Sequence, residues 1–225
     1  MFKKSALLAV LALVLMAPMA SHALTVNYDS GTQYNTTSLT GFSTYGDMMD
    51  GMSVTAYFAA GGSQTLAWAD TVANAGGVTG TSWSLSQSGD TYTNSWSLSS
   101  DVTLSQLVID AAPGDTIFDI TWSGSGTPGS ASGRTFTTAY TGDLTATYRN
   151  LLSVGGNDPV GDLYTLLDLD FGASGFLGNL SFIADTDNAA SAGDVVPAVP
   201  EPSTFLLFGG GLLGLGYLGR KRMKS

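Results

Sequence analysis

The chain between residue 24 and about residue 190 alternates apolar and polar side chains with a period of two. The clearest alternating segments are 52–58, 117–122, 144–148 and 163–171. Such alternation places every second side chain on the same face of a β-strand. Turns rich in Gly, Pro, Asp and Asn separate these segments, and no stretch has the spacing of an amphipathic helix. The pattern predicts an all-β domain, an antiparallel β-sandwich or jelly roll.

Two of these segments predict which side chains face the core. In the segment 163–171, Asp168 and Asp170 are predicted to lie on the face opposite the apolar side chains of Leu163, Leu167, Leu169 and Phe171. In the segment 117–122, Asp119 is predicted to lie opposite the face of Phe118, Ile120 and Trp122. Each carboxylate is therefore expected on the strand face opposite these apolar side chains.

A repeated pentapeptide predicts a β-hairpin. The sequence Ser-Trp-Ser-Leu-Ser occurs at residues 82–86 and again at 95–99. A two-residue loop at Gly89 and Asp90 would place Trp83 directly opposite Trp96. The two Trp share their face with Leu85 and Leu98, which favours a buried aromatic pair over an exposed platform for a sugar ring.

The N-terminus has the three parts of a secretory signal peptide. Lys3 and Lys4 precede an apolar core at residues 6–17, and small residues at Ser21 and Ala23 suit signal peptidase. We therefore predict a signal peptide over residues 1–23 with cleavage after Ala23. An uncleaved N-terminal anchor is the alternative, although the apolar core is short for a membrane span.

The C-terminus carries a second hydrophobic signal. Val199-Pro200-Glu201-Pro202-Ser203-Thr204 precedes an apolar segment at 205–219, and the basic residues Arg220, Lys221 and Arg222 follow it. Basic residues stay on the cytoplasmic side of a membrane, so the segment predicts a membrane span with the domain outside. Its length is at the short limit for spanning.

This tail resembles the PEP-CTERM sorting signal of Gram-negative bacteria, with Pro200, Glu201 and Pro202 at the positions of the motif. The resemblance implies that exosortase, a membrane cysteine transpeptidase, recognises the signal and removes the tail. It also implies a destination at the cell surface or in the extracellular matrix, alongside exopolysaccharide. A membrane anchor that is never cleaved is the alternative.

The chain is thus predicted to have four parts. These are a signal peptide (1–23), the β domain (24–190), a linker (191–199) and the sorting signal (200–225), which contains the transmembrane segment 205–219.

Charge and composition exclude several classes of function. The whole chain has a net charge of −10. Residues 24–200 contain seventeen Asp but only two basic residues, Arg134 and Arg149. The single Glu of the chain is Glu201, in the C-terminal tail. Two Arg cannot neutralise a run of phosphates, so nucleic acid is not an expected partner. Cys is absent and the single His, His22, lies in the signal peptide, which excludes disulfides and Cys- or His-ligated metals.

The same composition argues against an enzyme. A chain without its two ends has no His, Cys or Lys, and so lacks the usual catalytic triads and Schiff-base chemistry. A pair of carboxylates could serve a glycosidase, but seventeen Asp make chance pairs certain and none is marked by its sequence context.

Calcium is the one candidate cofactor. Asp185, Asp187 and Asn188 place two carboxylates and an amide within four residues, and oxygen ligands from loops are those that Ca²⁺ prefers. The alternative is a set of solvated turn residues, because Asp and Asn favour turns through their own hydrogen bonds.

These observations predict an exported, non-enzymatic protein of the cell surface or extracellular matrix, a structural or adhesive component of exopolysaccharide or biofilm. Its partners would be signal peptidase and exosortase during export, and exopolysaccharide afterwards. The alternative is a calcium-assisted carbohydrate-binding module that uses exposed aromatics such as Trp68 or Trp122. A glycoside hydrolase is the third hypothesis.

Overall fold

A computed structural model describes residues 24–40, 43–120, 126–130 and 133–198. Among these residues there are sixteen β-strands, two short 3₁₀ turns (Gly46–Met48 and Ala112–Gly114) and no α-helix. The strands are β1 (Leu24–Asp29), β2 (Tyr34–Thr36), β3 (Leu39–Thr40), β4 (Ser53–Phe58), β5 (Ser63–Ala67), β6 (Ala69–Val72), β7 (Ala75–Thr79), β8 (Trp83–Ser88), β9 (Trp96–Asp110), β10 (Thr116–Asp119), β11 (Thr137–Thr138), β12 (Leu144–Val154), β13 (Leu163–Asp170), β14 (Phe176–Ile183), β15 (Thr186–Ala189) and β16 (Val196–Pro197).

The strands form one mostly antiparallel sheet that curls into a half-barrel. The 15-residue strand β9 belongs to both halves of the curled sheet. Its C-terminal part pairs with β4 and β13, in the order β5-β4-β9-β13-β12-β1. Its N-terminal part pairs with β8 and β14, in the order β6-β7-β8-β9-β14-β11. The predicted all-β, antiparallel fold is confirmed, with a single curled sheet in which β9 joins the two halves.

One large cluster of buried apolar side chains forms the main hydrophobic core. Alternation along the strands directs the apolar side chains inward, as the sequence predicts. The main contributors are Val54, Ala56, Trp83, Leu85, Trp96, Leu98, Leu107, Ile109, Tyr148, Leu167, Leu169, Leu180 and Phe182. Burial of each large apolar side chain stabilises the fold by about 1.5–3 kcal/mol.

The repeated pentapeptide does form a hairpin, but its predicted register is wrong. Trp83 lies opposite Ser100, and Trp96 lies opposite Gln87, while Leu85 and Leu98 face each other. The connection is longer than two residues because Asp90 starts a further turn, in which its carbonyl accepts hydrogen bonds from the amides of residues 93 and 94. Both Trp side chains are buried, as predicted.

Trp68 is not the exposed aromatic that a carbohydrate-binding module would need. Only 1% of its surface is exposed, and its indole N–H donates a 2.8 Å hydrogen bond to the carbonyl of Gly46. Its ring packs edge-on against Trp96, with centroids 5.3 Å apart. Trp122, the other aromatic suggested for that role, lies outside the described residues.

Two Asp residues that lie opposite apolar faces of their strands are buried. Asp168 does lie opposite the leucine face of β13, but Arg149 and Gln106 from the neighbouring strands bond to its carboxylate and cover it. Asp119 is buried because β10 is covered on both faces. The face of β10 that carries Asp119 also carries Ile117, and Ile117 belongs to a smaller hydrophobic cluster with Leu152, Leu163 and Val195.

The described residues contain no helix long and apolar enough to cross a membrane. The predicted transmembrane segment 205–219 lies outside them.

Candidate functional sites: a buried acidic cluster and the C-terminal clasp

Four buried carboxyl groups form what we call the acidic cluster: Asp119, Asp162, Asp185 and Asp187. Asp119 ends β10, and Asp187 lies in β15, which pairs antiparallel with β10. The backbone N–H of Asp119 donates to the carbonyl of Asp185, at 3.1 Å, which holds the end of β10 beside the start of β15. Asp162 joins the cluster because the carbonyl of that residue accepts from the amide of Ile120, at 3.0 Å.

Hydroxyl groups of the segment 126–130 bind these carboxylates. Thr127 donates to Asp162 twice, through its backbone N–H and its hydroxyl, each at 2.6 Å. The hydroxyl of Ser130 contacts Asp187 Oδ2 at 2.8 Å and also contacts Asp119 Oδ2. A hydroxyl has one proton and can donate to only one of two carboxylates. Ser130 therefore links the side chains of Asp119 and Asp187.

Burial changes the acid–base behaviour of the cluster. Desolvation raises the pKa of Asp185 from 3.8 to about 8, and the charge of Asp187 adds to the effect, while a hydrogen bond from Thr91 opposes it. Desolvation also raises the pKa of Asp187 to about 6, against the hydrogen bond from Ser130. Asp185 is therefore mostly protonated at neutral pH.

The three candidate calcium ligands are placed differently from one another. Asp187 and Asn188 are consecutive in β15, so their side chains point to opposite faces. Asp187 bonds to Ser130, whereas Asn188 accepts from Thr44 at 2.7 Å and donates to the carbonyl of Met48 at 2.8 Å. Within the described part of the chain, no group of three or more His, Cys, Asp or Glu is arranged to hold a metal ion. Calcium binding by Asp185, Asp187 and Asn188 stays a prediction.

The second site, the C-terminal clasp, consists of Asp115 and Asp194 with the backbone and hydroxyl groups that they bind. Asp194 Oδ2 accepts three hydrogen bonds of 2.7 Å, from the Thr36 hydroxyl, the Thr37 hydroxyl and the Thr37 backbone N–H. These bonds, first that of the Thr37 hydroxyl, lower the pKa of Asp194. Asp115 accepts from the backbone N–H groups of residues 193, 194 and 195, at 2.7, 3.1 and 3.4 Å.

Strand pairing extends this attachment to the last described residue. β16 pairs antiparallel with β2, and the N–H of Ala198 donates to the carbonyl of Gln33 at 2.7 Å. Residues 191–198, which the sequence assigns to a linker, thus lie against the sheet. The sorting residues Pro200, Glu201 and Pro202 follow Ala198 almost directly in the chain.

Several predicted site residues lie outside the described part of the chain. They are the signal-peptide residue Ala23, the sorting residues Pro200, Glu201 and Pro202, and the basic residues Arg220, Lys221 and Arg222.

Comparison with known proteins assigns the C-terminal segment. Residues 198–222 match the family described as the PEP-CTERM protein-sorting motif. The chain therefore carries this motif, as its resemblance predicts, and the match begins at Ala198, the last described residue, whose N–H bonds to the carbonyl of Gln33. The motif indicates an exported protein sorted to the cell surface and implies processing by exosortase. Neither a curated protein nor a solved structure matches the chain.

Sequence reasoning missed most of the partners in both sites. Ser130 and Asp187 are 57 positions apart, and Thr37 and Asp194 are 157 positions apart. No local spacing signals such contacts. One local signal was present at Asp115, which follows Pro-Gly and has a φ of +49°, a conformation that Asp tolerates in turns.

Proposed function

We propose that the chain is an exported, non-enzymatic structural or adhesive component of the cell surface or extracellular matrix, associated with exopolysaccharide or biofilm. Exosortase would remove its tail and leave the curled sheet as the mature product. The observation that carries this proposal is the sorting motif at residues 198–222, joined to a folded and acidic sheet domain.

The short distance between the sheet and the tail supports processing at the membrane. Six residues, 199–204, lie between Ala198 and Phe205, the first residue of the predicted span, so seven Cα–Cα steps join the two. A fully extended chain covers at most about 3.6 Å per residue, or about 25 Å over this stretch. While the tail is in the membrane, the domain would lie close to the outer face of the bilayer, where a membrane-embedded transpeptidase has its substrate within reach.

The charge of the domain suits a hydrated extracellular setting. Residues 24–198 carry seventeen Asp and two Arg, a net charge of −15. A strongly acidic surface keeps a protein soluble and repels anionic polymers. The non-enzymatic role rests on the composition: the same residues contain no His, Cys or Lys for the usual nucleophilic mechanisms.

The proposal is tested by replacing the central residue of the motif in a cell that makes exosortase. Glu201→Ala is expected to keep the tail, so the protein stays in the membrane fraction and is heavier than the processed form by the mass of the tail. Asp70→Ala, which also removes one acidic side chain but lies on strand β6, is the matched control and is expected to be processed normally. Equal processing of the wild type and Glu201→Ala would contradict the proposal.

A further inference from the structure

A groove of about 880 Å³ opens where β9 passes from one half of the curled sheet to the other. Its walls come from the β4–β5 turn, the β7–β8 loop, the bend of β9 and β14. The lining includes Phe58, Gln64, Thr81, Asp101, Thr103 and Leu177. This volume lies within the range of small-ligand sites in proteins, about 300–1,000 Å³.

Two irregularities in strand pairing create this groove. The register between β4 and β9 shifts at Tyr57/Phe58, and the register between β14 and β9 shifts at Phe176/Gly178. Both shifts lie beside the middle of β9. A bulge bends a strand and interrupts its ladder, and bulges are common next to binding sites. The groove is therefore a product of the same bend that curls the sheet.

The amide of Gln64 is held in one orientation within the groove. Its Oε1 accepts a 2.8 Å hydrogen bond from the indole N–H of the buried Trp83 and a 3.4 Å bond from the N–H of Thr81. These donors identify the oxygen of the amide, so the Nε2 group points the other way. Among the described residues Nε2 has no hydrogen-bond acceptor, which makes it available as a donor to a ligand.

The close approach of Trp83 and Gln64 depends on Gly80. A Cβ at residue 80 would overlap both Trp83 Nε1 and Gln64 Oε1. The absence of a side chain there lets the indole reach the amide, so the orientation of Gln64 is built into the β7–β8 loop.

Acceptors and apolar surface complete the lining. The carboxylate of Asp101 is exposed at the bend of β9 and makes no side-chain hydrogen bond to the described residues. Ser63, Thr81, Ser82 and Thr103, which carry hydroxyl groups, also line the groove. The half-buried ring of Phe58 and the side chain of Leu177, 62% exposed, supply the apolar part.

We propose that this groove binds a segment of a neutral polysaccharide. A pyranose ring has an apolar C–H face, which suits Phe58 and Leu177, and hydroxyls that both donate and accept, which suit Asp101 and the Nε2 group of Gln64. The ligand is neutral because the domain has a net charge of −15 and the groove itself contains a carboxylate, so an acidic polymer would be repelled. This inference rests on the proposed function in one respect: the extracellular matrix would supply the polysaccharide.

The experiment is affinity electrophoresis of the full chain in detergent and of the processed form, through gels containing dextran, laminarin or galactomannan, with alginate as an acidic polymer. At least one neutral polymer is expected to retard the wild type, whereas alginate is not. Asp101→Ala is expected to weaken binding about tenfold, equivalent to about 1.4 kcal/mol, because it removes a charged hydrogen-bond acceptor. Leu177→Ser is also expected to weaken binding.

Matched controls lie on strand β6, away from the groove. Asp70→Ala and Val72→Ser change similarly exposed side chains and are expected to bind like the wild type. The inference is overturned if no neutral polymer retards the protein, if alginate retards it more than the neutral polymers do, or if the groove variants and the controls bind equally. A wild-type protein that binds a neutral glycan but keeps its tail would contradict only the proposed sorting. A wild-type protein that is processed but binds no neutral glycan would contradict only the proposed groove.

Discussion

Thr37 donates two hydrogen bonds to the carboxylate of Asp194, one from its backbone N–H and one from its hydroxyl, both 2.7 Å long. Together with the bonds that Asp115 accepts and the pairing of β16 with β2, this contact fixes the chain just before the sorting motif to the domain. The motif therefore starts at a defined place on the domain and not at the end of a free linker.

The clasp makes the C-terminal segment resistant to opening. Asp194→Ala removes all three acceptor contacts, so the amides of Thr37 and Ala198 are expected to exchange with solvent deuterium faster than in the wild type. Hydrogen–deuterium exchange followed by mass spectrometry measures this. Asp158→Ala, an exposed loop Asp, is the control. Unchanged exchange at both amides would show that the clasp does not hold the segment.

The acidic cluster should make the fold less stable as pH rises. Asp185 has a pKa of about 8 in the folded protein and an ordinary value of 3.8, so the folded state binds the extra proton. Its contribution to stability is fully present below about pH 4 and is lost as the pH rises to about 8. Asp187, with a pKa of about 6, acts in the same direction. The melting temperature is expected to be lower at pH 9 than at pH 5.

Asp185→Asn provides the matched test of this pH dependence. Asn resembles the protonated carboxyl group and can still accept the hydrogen bond from Thr91, so the variant is expected to lose much of the fall in melting temperature between pH 5 and pH 9. Asp70→Asn is expected to keep it. A wild-type melting temperature that is constant or rises over this range would contradict the assignment of the proton to the cluster.

Strand alternation predicts opposite outcomes for neighbouring positions of β8. Leu85→Ala leaves a cavity in the core and is expected to lower the free energy of unfolding by about 2–5 kcal/mol. Ser86→Ala lies on the exposed face of the same strand and is expected to change it by less than about 0.5 kcal/mol. Urea denaturation measures both values, and similar losses for the two variants would contradict the strand's orientation.

Gly80 tests the support of the groove. Gly80→Ala is expected to push Trp83 and Gln64 apart and to lower the free energy of unfolding by about 1–3 kcal/mol, the usual cost of overpacking. The fluorescence of the Trp residues should change at the same time. Thr79→Ala, at the neighbouring exposed position, is the control. A variant as stable as the wild type would mean that the close approach is not required.

The parts of the fold that follow from local sequence were predictable. Val54 and Ala56 face the core, and Ser53 and Thr55 lie between them, because side chains alternate along any strand. The register of the hairpin could not be predicted in the same way. The turn that Asp90 starts adds residues to the loop and shifts Trp83 to a position opposite Ser100. A one-turn difference in a loop changes every cross-strand pair.

Burial of polar and aromatic residues depends on distant elements. Asp119 looks like an outward-facing residue until the segment around Ser130 and the strand of Asp187 cover it. Trp68 looks available to a ligand until Gly46 and Trp96 enclose it. The sorting motif was predictable because its recognition depends on a contiguous sequence, whereas the groove depends on the bend of β9 and could be found only in the folded chain.

The central claim is that the chain is exported and loses its C-terminal tail. Intact-mass spectrometry of the protein recovered from the cell surface or the culture medium tests this most directly. The account predicts a product that begins at Leu24 and lacks the apolar segment 205–219 and the basic residues after it. A product that still extends to Ser225, from a cell with active exosortase, would contradict it.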